Sequence, residues 1–166
     1  MKAARRGIAS YWKTIFKVKK RKVKFMAERS AKATWNGTLT EGEGTMALGS
    51  GAFEGKFSFG SRMGEEPGTN PEELIGAALA GCYTMALNAT LGKEGFKTNG
   101  IETAAKVHFG KDDSGFTIGK IDLKTEARVE GIDNDKFQEI AANVKKTCPV
   151  SKALTGTEIV LDATLA

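Results

Sequence analysis

The spacing of apolar residues predicts strands on both sides of a long central helix. Apolar side chains alternate with polar ones near Trp35, over residues 44–48 and near Phe57, and again in three later stretches: 101–109, 121–129 and 159–165. This period of two is that of half-buried strands. Apolar residues at helical spacing over 137–144 predict a second helix. The order of three strands, helix, two strands, helix and strand predicts an α+β fold with a largely antiparallel sheet.

Short polar stretches predict how these elements connect. Asn36-Gly37 favours a type I′ hairpin, and residues 112–115 favour a turn. The third strand is expected to end near Arg62, with a charged turn over 64–68. Asp133 can cap the second helix, and Cys148-Pro149 should break it and open a short third one.

The stretch from Gly68 to Leu91 is the most unusual part of the pattern. Thr69 or Asn70 can cap a helix, Pro71 suits its first turn, and no charge follows from Leu74 to Leu91. A helix without charge is expected to be buried nearly all round. It is too apolar for so small a domain, so a symmetric partner subunit is its simplest cover. We expect no segment that spans a bilayer.

The formal net charge of +5 divides the chain into two predicted parts. Residues 1–25 carry ten Lys/Arg and no Asp/Glu, whereas residues 26–166 carry fifteen Lys/Arg against twenty Asp/Glu. We therefore expect a basic N-terminal extension, 1–25, and a single mildly acidic domain, 26–166. Met26 is a candidate start, which would make the extension non-native. A basic membrane-surface helix, a nucleic-acid arm and a transit peptide are the alternatives.

The chain has two cysteines and one histidine, which restricts its chemistry. Two cysteines cannot form the dense disulfide frame of a small secreted domain, so we expect a cytoplasmic protein with reduced thiols. A zinc site would need more Cys and His ligands than the chain has. His108 falls on the polar face of its strand, where an ordinary exposed histidine is the simplest interpretation. A Ser-His-Asp or Cys-His hydrolase would depend on it.

Cys82 and Cys148 are the informative pair, although both could simply be buried small side chains. A nucleophilic cysteine needs a nearby cation, because the thiolate is the reactive form. Arg62 precedes the central helix and has no obvious structural role. Glu72 has two compatible interpretations: it can hold Arg62 through a bidentate pair, or complete a capping box with Thr69.

The motifs TNPEELIGAALAGC with Cys82, FGSR with Arg62 and CPVSKAL with Cys148 resemble the OsmC/Ohr family of thiol-dependent hydroperoxide peroxidases. The resemblance runs from about Ala31 to Ala166. The first hairpin lacks arginine, and Arg62 stands twenty residues before Cys82, which resembles the OsmC branch rather than the Ohr branch. Glu73, where Ohr-like proteins tend to have Gln, points the same way.

The resemblance implies an intertwined homodimer in which a curved sheet wraps around central helices, with two sites near the dimer interface. It makes Cys82 the peroxidatic nucleophile, Cys148 the resolving thiol, and Arg62 with Glu72 the charged pair beside Cys82. The substrate would be an organic hydroperoxide, and a dithiol, of lipoyl type for example, would be the reductant. The resemblance implies no cofactor or metal, and it implies no nucleic-acid or membrane partner for the domain, 26–166.

Three alternatives stay open at this point. The same fold can serve as a non-enzymatic redox sensor or as a small-molecule binder at the interface pocket. In the third alternative, the basic N-terminal extension is the functional part and binds nucleic acid or an anionic membrane, and the domain is only attached to it.

Apolar residues of the central helix and the third strand would favour organic over inorganic peroxides as substrates: Leu79, Met85, Phe53, Phe57 and Phe59. The sequence leaves open whether Arg62 acts within or across subunits.

Overall fold

The computed structural model describes residues 24–166, so nearly all of the predicted basic extension lies outside the described residues. The described chain contains β1 (Ala31–Asn36), β2 (Glu43–Leu48), β3 (Glu54–Ser58), α1 (Phe59–Met63), α2 (Pro71–Lys93), β4 (Lys97–Asp112), β5 (Gly115–Glu130), α3 (Asn134–Thr147), α4 (Pro149–Ala153) and β6 (Glu158–Leu165). The predicted order of elements is confirmed. Helix α1 is an addition that the periodicity did not predict.

The strands form two sheets rather than the single sheet that the sequence pattern indicated. The first has the order β1-β2-β3 and is antiparallel throughout. The second has the order β4-β5-β6, in which β4 and β5 are antiparallel and β6 runs parallel to β5. A parallel neighbour needs a crossover connection, and helices α3 and α4 supply it. The fold is therefore α+β with two small sheets.

The core lies between α2, α3 and the second sheet. Every third or fourth residue of α2 is buried against it: Gly76, Leu79, Tyr83, Leu87 and Leu91. Gly76 permits a close approach, since a Cβ at this position would lie 3.4 Å from Val107 Cγ2 on β4. Strand β1 is exposed along its whole length, so the first sheet adds little to this core.

The opposite face of α2 is uncovered in the single chain. Its exposed positions, which we call the α2 stripe, are Ala77, Ala78, Gly81, Met85, Asn88 and Ala89, and Met85 is 76% exposed. The expectation of burial nearly all round is therefore wrong for one subunit. The expectation that no segment could span a bilayer is also corrected, because this 23-residue helix is long and apolar enough. Its other face is nevertheless part of the core.

The first hairpin differs from the predicted two-residue turn. Residues 37–42 separate β1 from β2, and Asn36 pairs with Glu43. A type I′ turn needs positive φ at both central residues, but only Gly37 has one (φ 92°). The longer loop is held by Trp35, whose Nε1 donates to the carbonyl oxygens of Gly37 and Thr38.

The later connections follow the prediction closely. Strands β4 and β5 meet at a tight turn after Asp112, whose carboxylate accepts from the Ser114 backbone N–H at 2.8 Å. Asp133 caps α3 by accepting from the Lys136 N–H.

A bulge interrupts the pairing of β4 with β5: His108 pairs with Lys120, but the next residue, Phe109, pairs with Ile118. Gly119 is the extra residue.

Candidate active site: a sulfur pair and a charged pair on one helix

Cys82 and Cys148 are brought together although 66 residues separate them. The two Sγ atoms lie 3.2 Å apart and both cysteines are free thiols. Cys82 is on α2, beside the α2 stripe, and is partly exposed. Cys148 ends α3 and begins α4, where Pro149 fixes the break, and it is fully buried. A reagent from solvent therefore meets Cys82 first.

The surroundings of the two thiols move their pKa values in opposite directions. Burial raises the pKa of Cys82, and the Val150 backbone N–H only partly offsets this effect. Burial alone would also raise the pKa of Cys148, but hydrogen bonds from the Ser151 backbone and from Cys82 outweigh it and lower the pKa of Cys148. Within one chain, the burial of Cys82 therefore disfavours its thiolate.

The predicted pair of Arg62 with Glu72 is present. Arg62 Nη2 donates to Glu72 Oε1 at 2.8 Å, and Arg62 Nε lies 3.3 Å from both carboxylate oxygens. Glu72 is only 7% exposed, whereas the Arg62 side chain is 38% exposed. This geometry fixes the plane of the guanidinium and leaves part of it open to solvent.

The start of α2 decides between the two interpretations of Glu72. Asn70 is the N-cap, and its Oδ1 accepts from the Glu73 N–H at 2.8 Å. The Thr69 hydroxyl binds Glu73 Oε2 rather than Glu72. The alternative capping box of Thr69 and Glu72 is therefore wrong, and the Glu72 carboxylate is available to Arg62.

Arg62 belongs to a short helix, not to the end of a strand as the sequence indicated. Ser58 caps α1, its Oγ accepting from the Ser61 N–H while the Ser61 hydroxyl accepts from the Ser58 N–H. This reciprocal cap uses serine in place of the usual Glu or Gln, and a five-residue helix carries too little periodicity to be recognised. It places Arg62 in the last turn, facing Glu72.

Within one chain, the charged pair and the sulfur pair stay apart. Glu72 and Cys82 both lie on α2, ten residues from each other, which is about 15 Å of helix. In the described part of the chain, no hydrogen bond joins Arg62 to either sulfur, and Arg62 is not among the groups that shift the pKa of Cys82. The role of Arg62 and Glu72 toward Cys82 stays a prediction.

Three cavities include Arg62 in their lining, and two of them bear on the site. A groove of about 710 Å³ runs past Arg62 and Glu72 to Phe109. A second, mostly apolar cavity of about 410 Å³ is lined by Arg62 and Ser58 together with Trp35, Leu39, Phe57, Phe59, Met63 and Phe116. Phe57 and Phe59 thus line a cavity beside Arg62. Leu79 is instead buried in the core, and Met85 is exposed on the α2 stripe.

His108 is on the outer face of β4, as its position in the pattern indicated. Its Nε2 lies 2.6 Å from Asp122 Oδ2, and Lys120 Nζ lies 2.7 Å from Asp122 Oδ1. Both partners lie on neighbouring β5, on the face away from the core. Among residues 24–166, no group of three or more His, Cys, Asp or Glu side chains is placed to hold a metal ion.

The sequence interpretation missed Phe109 as a neighbour of Arg62. Arg62 Cζ lies 4.7 Å from the centre of the Phe109 ring, and the rings of Phe109 and Phe116 stack with centres 5.4 Å apart. The alternation of β4 had assigned Phe109 only to the inward face. No local signal in the sequence joins a strand residue to an arginine 47 positions earlier.

Comparison with known proteins matches this chain to one family. The family model described as "OsmC-like protein" matches residues 64–163. "Peroxiredoxin OsmC" of Escherichia coli (strain K12) is 45% identical over 135 residues, which are 81% of this chain and 94% of that protein. "Organic hydroperoxide resistance protein" of Xanthomonas axonopodis pv. citri (strain 306) is 30% identical, covering 80% of this chain and 92% of the relative.

Solved structures agree on the fold. An organic hydroperoxide resistance protein from Elizabethkingia anophelis superposes with a TM-score of 0.67 at 24% identity, over 87% of this chain and 99% of that one. An OsmC-like protein from Vibrio cholerae has the same TM-score at 19% identity and covers 83% of this chain and 99% of its own. With its motifs, its fold and its relatives in agreement, this chain belongs to the OsmC-like family.

Proposed function

We propose that this protein is a thiol-dependent peroxidase that reduces organic hydroperoxides, and hydrogen peroxide more weakly, in oxidative or osmotic stress defence. The 3.2 Å separation of Cys82 Sγ and Cys148 Sγ carries this proposal. Two free thiols at that distance, one accessible and one buried, suit an attacking and a resolving role. The names of the relatives, a peroxiredoxin and organic hydroperoxide resistance proteins, support the same class of reaction.

The reaction is a two-electron reduction in which sulfur is oxidised. The Cys82 thiolate attacks the terminal oxygen of the O–O bond, the bond breaks, and the alkoxide leaves as an alcohol after taking a proton. Cys82 is then a sulfenic acid. The Cys148 thiol condenses with it, which forms a disulfide and releases water. An external dithiol, a lipoyl-type dithiol for example, reduces the disulfide by thiol–disulfide exchange.

The Cys82 thiolate needs a cation, and among residues 24–166 of one chain no Lys or Arg shifts the pKa of Cys82. Burial raises the pKa of Cys82, and Glu72, which binds Arg62 of the same chain, lies about 15 Å of helix from Cys82. We assign the missing cation to Arg62 of the partner subunit in a homodimer. Arg62 then stabilises the thiolate and the charge on the departing oxygen, and Glu72 holds Arg62 in place.

The α2 stripe supports such a dimer. Its small residues Ala77, Ala78 and Gly81 let a second helix approach closely, and a Cβ added at Gly81 would meet nothing within 4 Å. Ala77 lies midway between positions 72 and 82. An antiparallel contact of two α2 helices centred there would set Glu72 of one subunit beside Cys82 of the other.

The apolar cavity beside Arg62 supports the preference for organic hydroperoxides. Its walls are mostly aromatic and aliphatic, whereas hydrogen peroxide has no apolar part to bury. The cytoplasm, where thiols are kept reduced, is the compartment that suits this cycle.

The test is peroxide consumption by the wild-type protein and two cysteine variants, with cumene hydroperoxide and a dithiol. Wild type should turn over many times, Cys82→Ser should consume nothing, and Cys148→Ser should complete one turnover and then stall or over-oxidise. Intact-mass mapping should find a Cys82–Cys148 disulfide after peroxide addition. Stoichiometric oxidation without turnover would indicate a redox sensor, and full activity of Cys82→Ser would disprove the scheme.

A further inference from the structure

Arg62 is held by two contacts, one with a carboxylate and one with an aromatic ring. Glu72 binds the edge of the guanidinium, with the closest contact at 2.8 Å. Arg62 Cζ lies over the Phe109 ring, 4.7 Å from its centre. A cation within about 6 Å of an aromatic ring centre is attracted by the negative face of the ring. The edge contact sets the plane, and the ring contact limits rotation and tilt.

The Phe109 ring also contacts a second aromatic ring. The Phe116 ring stacks on it at 5.4 Å with an interplanar angle of 18°, and Lys111 Nζ lies 5.8 Å from the centre of the Phe116 ring. The four side chains therefore form one column in the order Arg62, Phe109, Phe116, Lys111. Because the last three come from the tip of the β4–β5 hairpin, this tip supports Arg62.

The bulge at Gly119 fits this arrangement. Before it, Val107 pairs with Ile121 and both contribute to the core side of the sheet. After it, Phe109 pairs with Ile118 and Lys111 with Phe116, so these four side chains share that same side beyond the bulge. Bulges commonly reorient side chains next to functional sites.

We infer that Phe109 is a positioning residue for Arg62, holding its guanidinium in the orientation that acts on the peroxidatic sulfur. The inference rests on the proposed peroxidase function, to which it adds a residue. The contact that carries this role is the one between the Phe109 ring and the Arg62 guanidinium. Phe109 and Phe116 also line the 710 Å³ groove, so the substrate would pass the same column.

The test is a double-mutant cycle on the peroxide step, measured in single-turnover experiments with cumene hydroperoxide. Phe109→Met keeps an apolar chain of similar size but has no ring, and should slow the step about tenfold, the size expected for a partly desolvated cation–π contact. Phe109→Leu should behave alike, and Phe109→Tyr, which keeps the ring, should restore the rate. In an Arg62→Ala background, Phe109→Met should cause no further loss.

Phe96→Met is the matched control, because Phe96 is a half-buried ring near the opposite end of β4. It should leave the peroxide step unchanged, and the unfolding midpoint of each variant shows whether the fold persists. Wild-type rates in both ring-less variants would overturn the inference. An equal loss in the Arg62→Ala background would also overturn it, since the ring would then act without Arg62.

Failure of the proposed function gives a different result. If Arg62→Ala reduces peroxide as fast as wild type, the peroxidase scheme loses its cation and the role of Phe109 fails with it. If Arg62→Ala is slow while Phe109→Met is not, only the positioning role fails. The two outcomes are distinguished by the Arg62→Ala rate alone.

Discussion

The sulfur pair and the charged pair are built in contrasting ways on one helix. Cys82 and Cys148 meet through long-range packing: α2, α3 and α4 converge so that one sulfur is buried and the other reaches the α2 stripe. Arg62 and Glu72 meet locally, across one loop, beside an open groove. Among residues 24–166, no Lys or Arg acts on the sulfur pair, and no cysteine hydrogen-bonds to the charged pair. Each pair is well ordered in one chain, but the proposed reaction needs both a nucleophile and a cation. We therefore propose that the reaction takes place between two subunits.

Mixing subunits that carry different substitutions is the most direct test of whether Cys82 and Arg62 of different subunits form one site. Cys82→Ser should be inactive, and Arg62→Ala should be slower than wild type by a factor of at least about 100. In a mixed dimer, Cys82 of the first variant meets the partner's Arg62 from the second. Refolding the two together should restore about one quarter of wild-type activity, because half the dimers are mixed and each has one intact site of two.

The control for mixing is the double variant, Arg62→Ala with Cys82→Ser, refolded with wild type. If each site combines Cys82 of one subunit with Arg62 of the other, both sites of such a mixed dimer contain one substituted residue and should be inactive. If each site lies within one subunit, the site of the wild-type subunit stays intact. Failure of the two single variants to restore activity would place Arg62 and Cys82 in the same subunit.

A charge on the α2 stripe should separate the subunits. Met85→Glu puts a carboxylate at the most exposed apolar position of the stripe, and burial of that charge at an interface would cost several kcal/mol. We expect a monomer by sedimentation and a loss of peroxidase activity with it. Asn143→Glu adds the same charge on the exposed face of α3 and should remain dimeric and active. A dimeric, active Met85→Glu would place the interface elsewhere.

The pH dependence of Cys82 alkylation tests whether Arg62 lowers the pKa of the Cys82 thiol. In a Cys148→Ser background, iodoacetamide reports on Cys82 alone. Burial raises the pKa of this thiol in the single chain, and the partner's Arg62 should lower it. Arg62→Ala should therefore move the alkylation profile to higher pH by about one to three units. An unchanged profile would mean that Arg62 does not act on the Cys82 thiolate.

The smallest expected effect concerns the packing behind the sulfur pair. Tyr83 is fully buried, its hydroxyl donates to the Ala141 carbonyl oxygen at 3.2 Å, and burial raises its pKa. The neutral hydroxyl therefore contributes stability below the unfolded pKa of about 10, and the contribution is lost as pH rises above it. Tyr83→Phe should cost about 1 kcal/mol near neutral pH and weaken the alkaline fall in urea stability.

Comparison of the two variants' urea midpoints between pH 8 and 11 checks this prediction. Wild type and Tyr83→Phe share both cysteines, so thiol ionisation cancels from the difference between them. If the gap between their stabilities does not narrow as pH rises, Tyr83 is not the titrating group.

The sequence predicted the elements of the fold better than their assembly. Alternation and caps located the strands, α2 and α3, because these signals are local: Asn70, Asp133 and Pro149 act within one turn. The division into two sheets was missed, since strand pairing is a long-range property that alternation does not encode. Helix α1 was missed because its Ser58–Ser61 cap resembles a loop.

For the candidate site, too, the sequence predicted the residues but not all of their long-range contacts. The motif resemblance identified Cys82, Cys148, Arg62 and Glu72, and the structure pairs them two by two. Phe109 was not predicted as a neighbour of Arg62, since it reaches the guanidinium only through the register of β4 with β5. The basic extension and the compartment stay predictions.

The short distance between the sulfurs also has a kinetic consequence. A resolving thiol already in contact with its target has an effective concentration far above the millimolar level of free cellular thiols. In the proposed cycle, the sulfenic acid would thus be captured by Cys148 before a small thiol or a second peroxide reached it. The oxidised protein that accumulates would be the disulfide, so its dithiol reductant, rather than peroxide, would set the rate at high peroxide load.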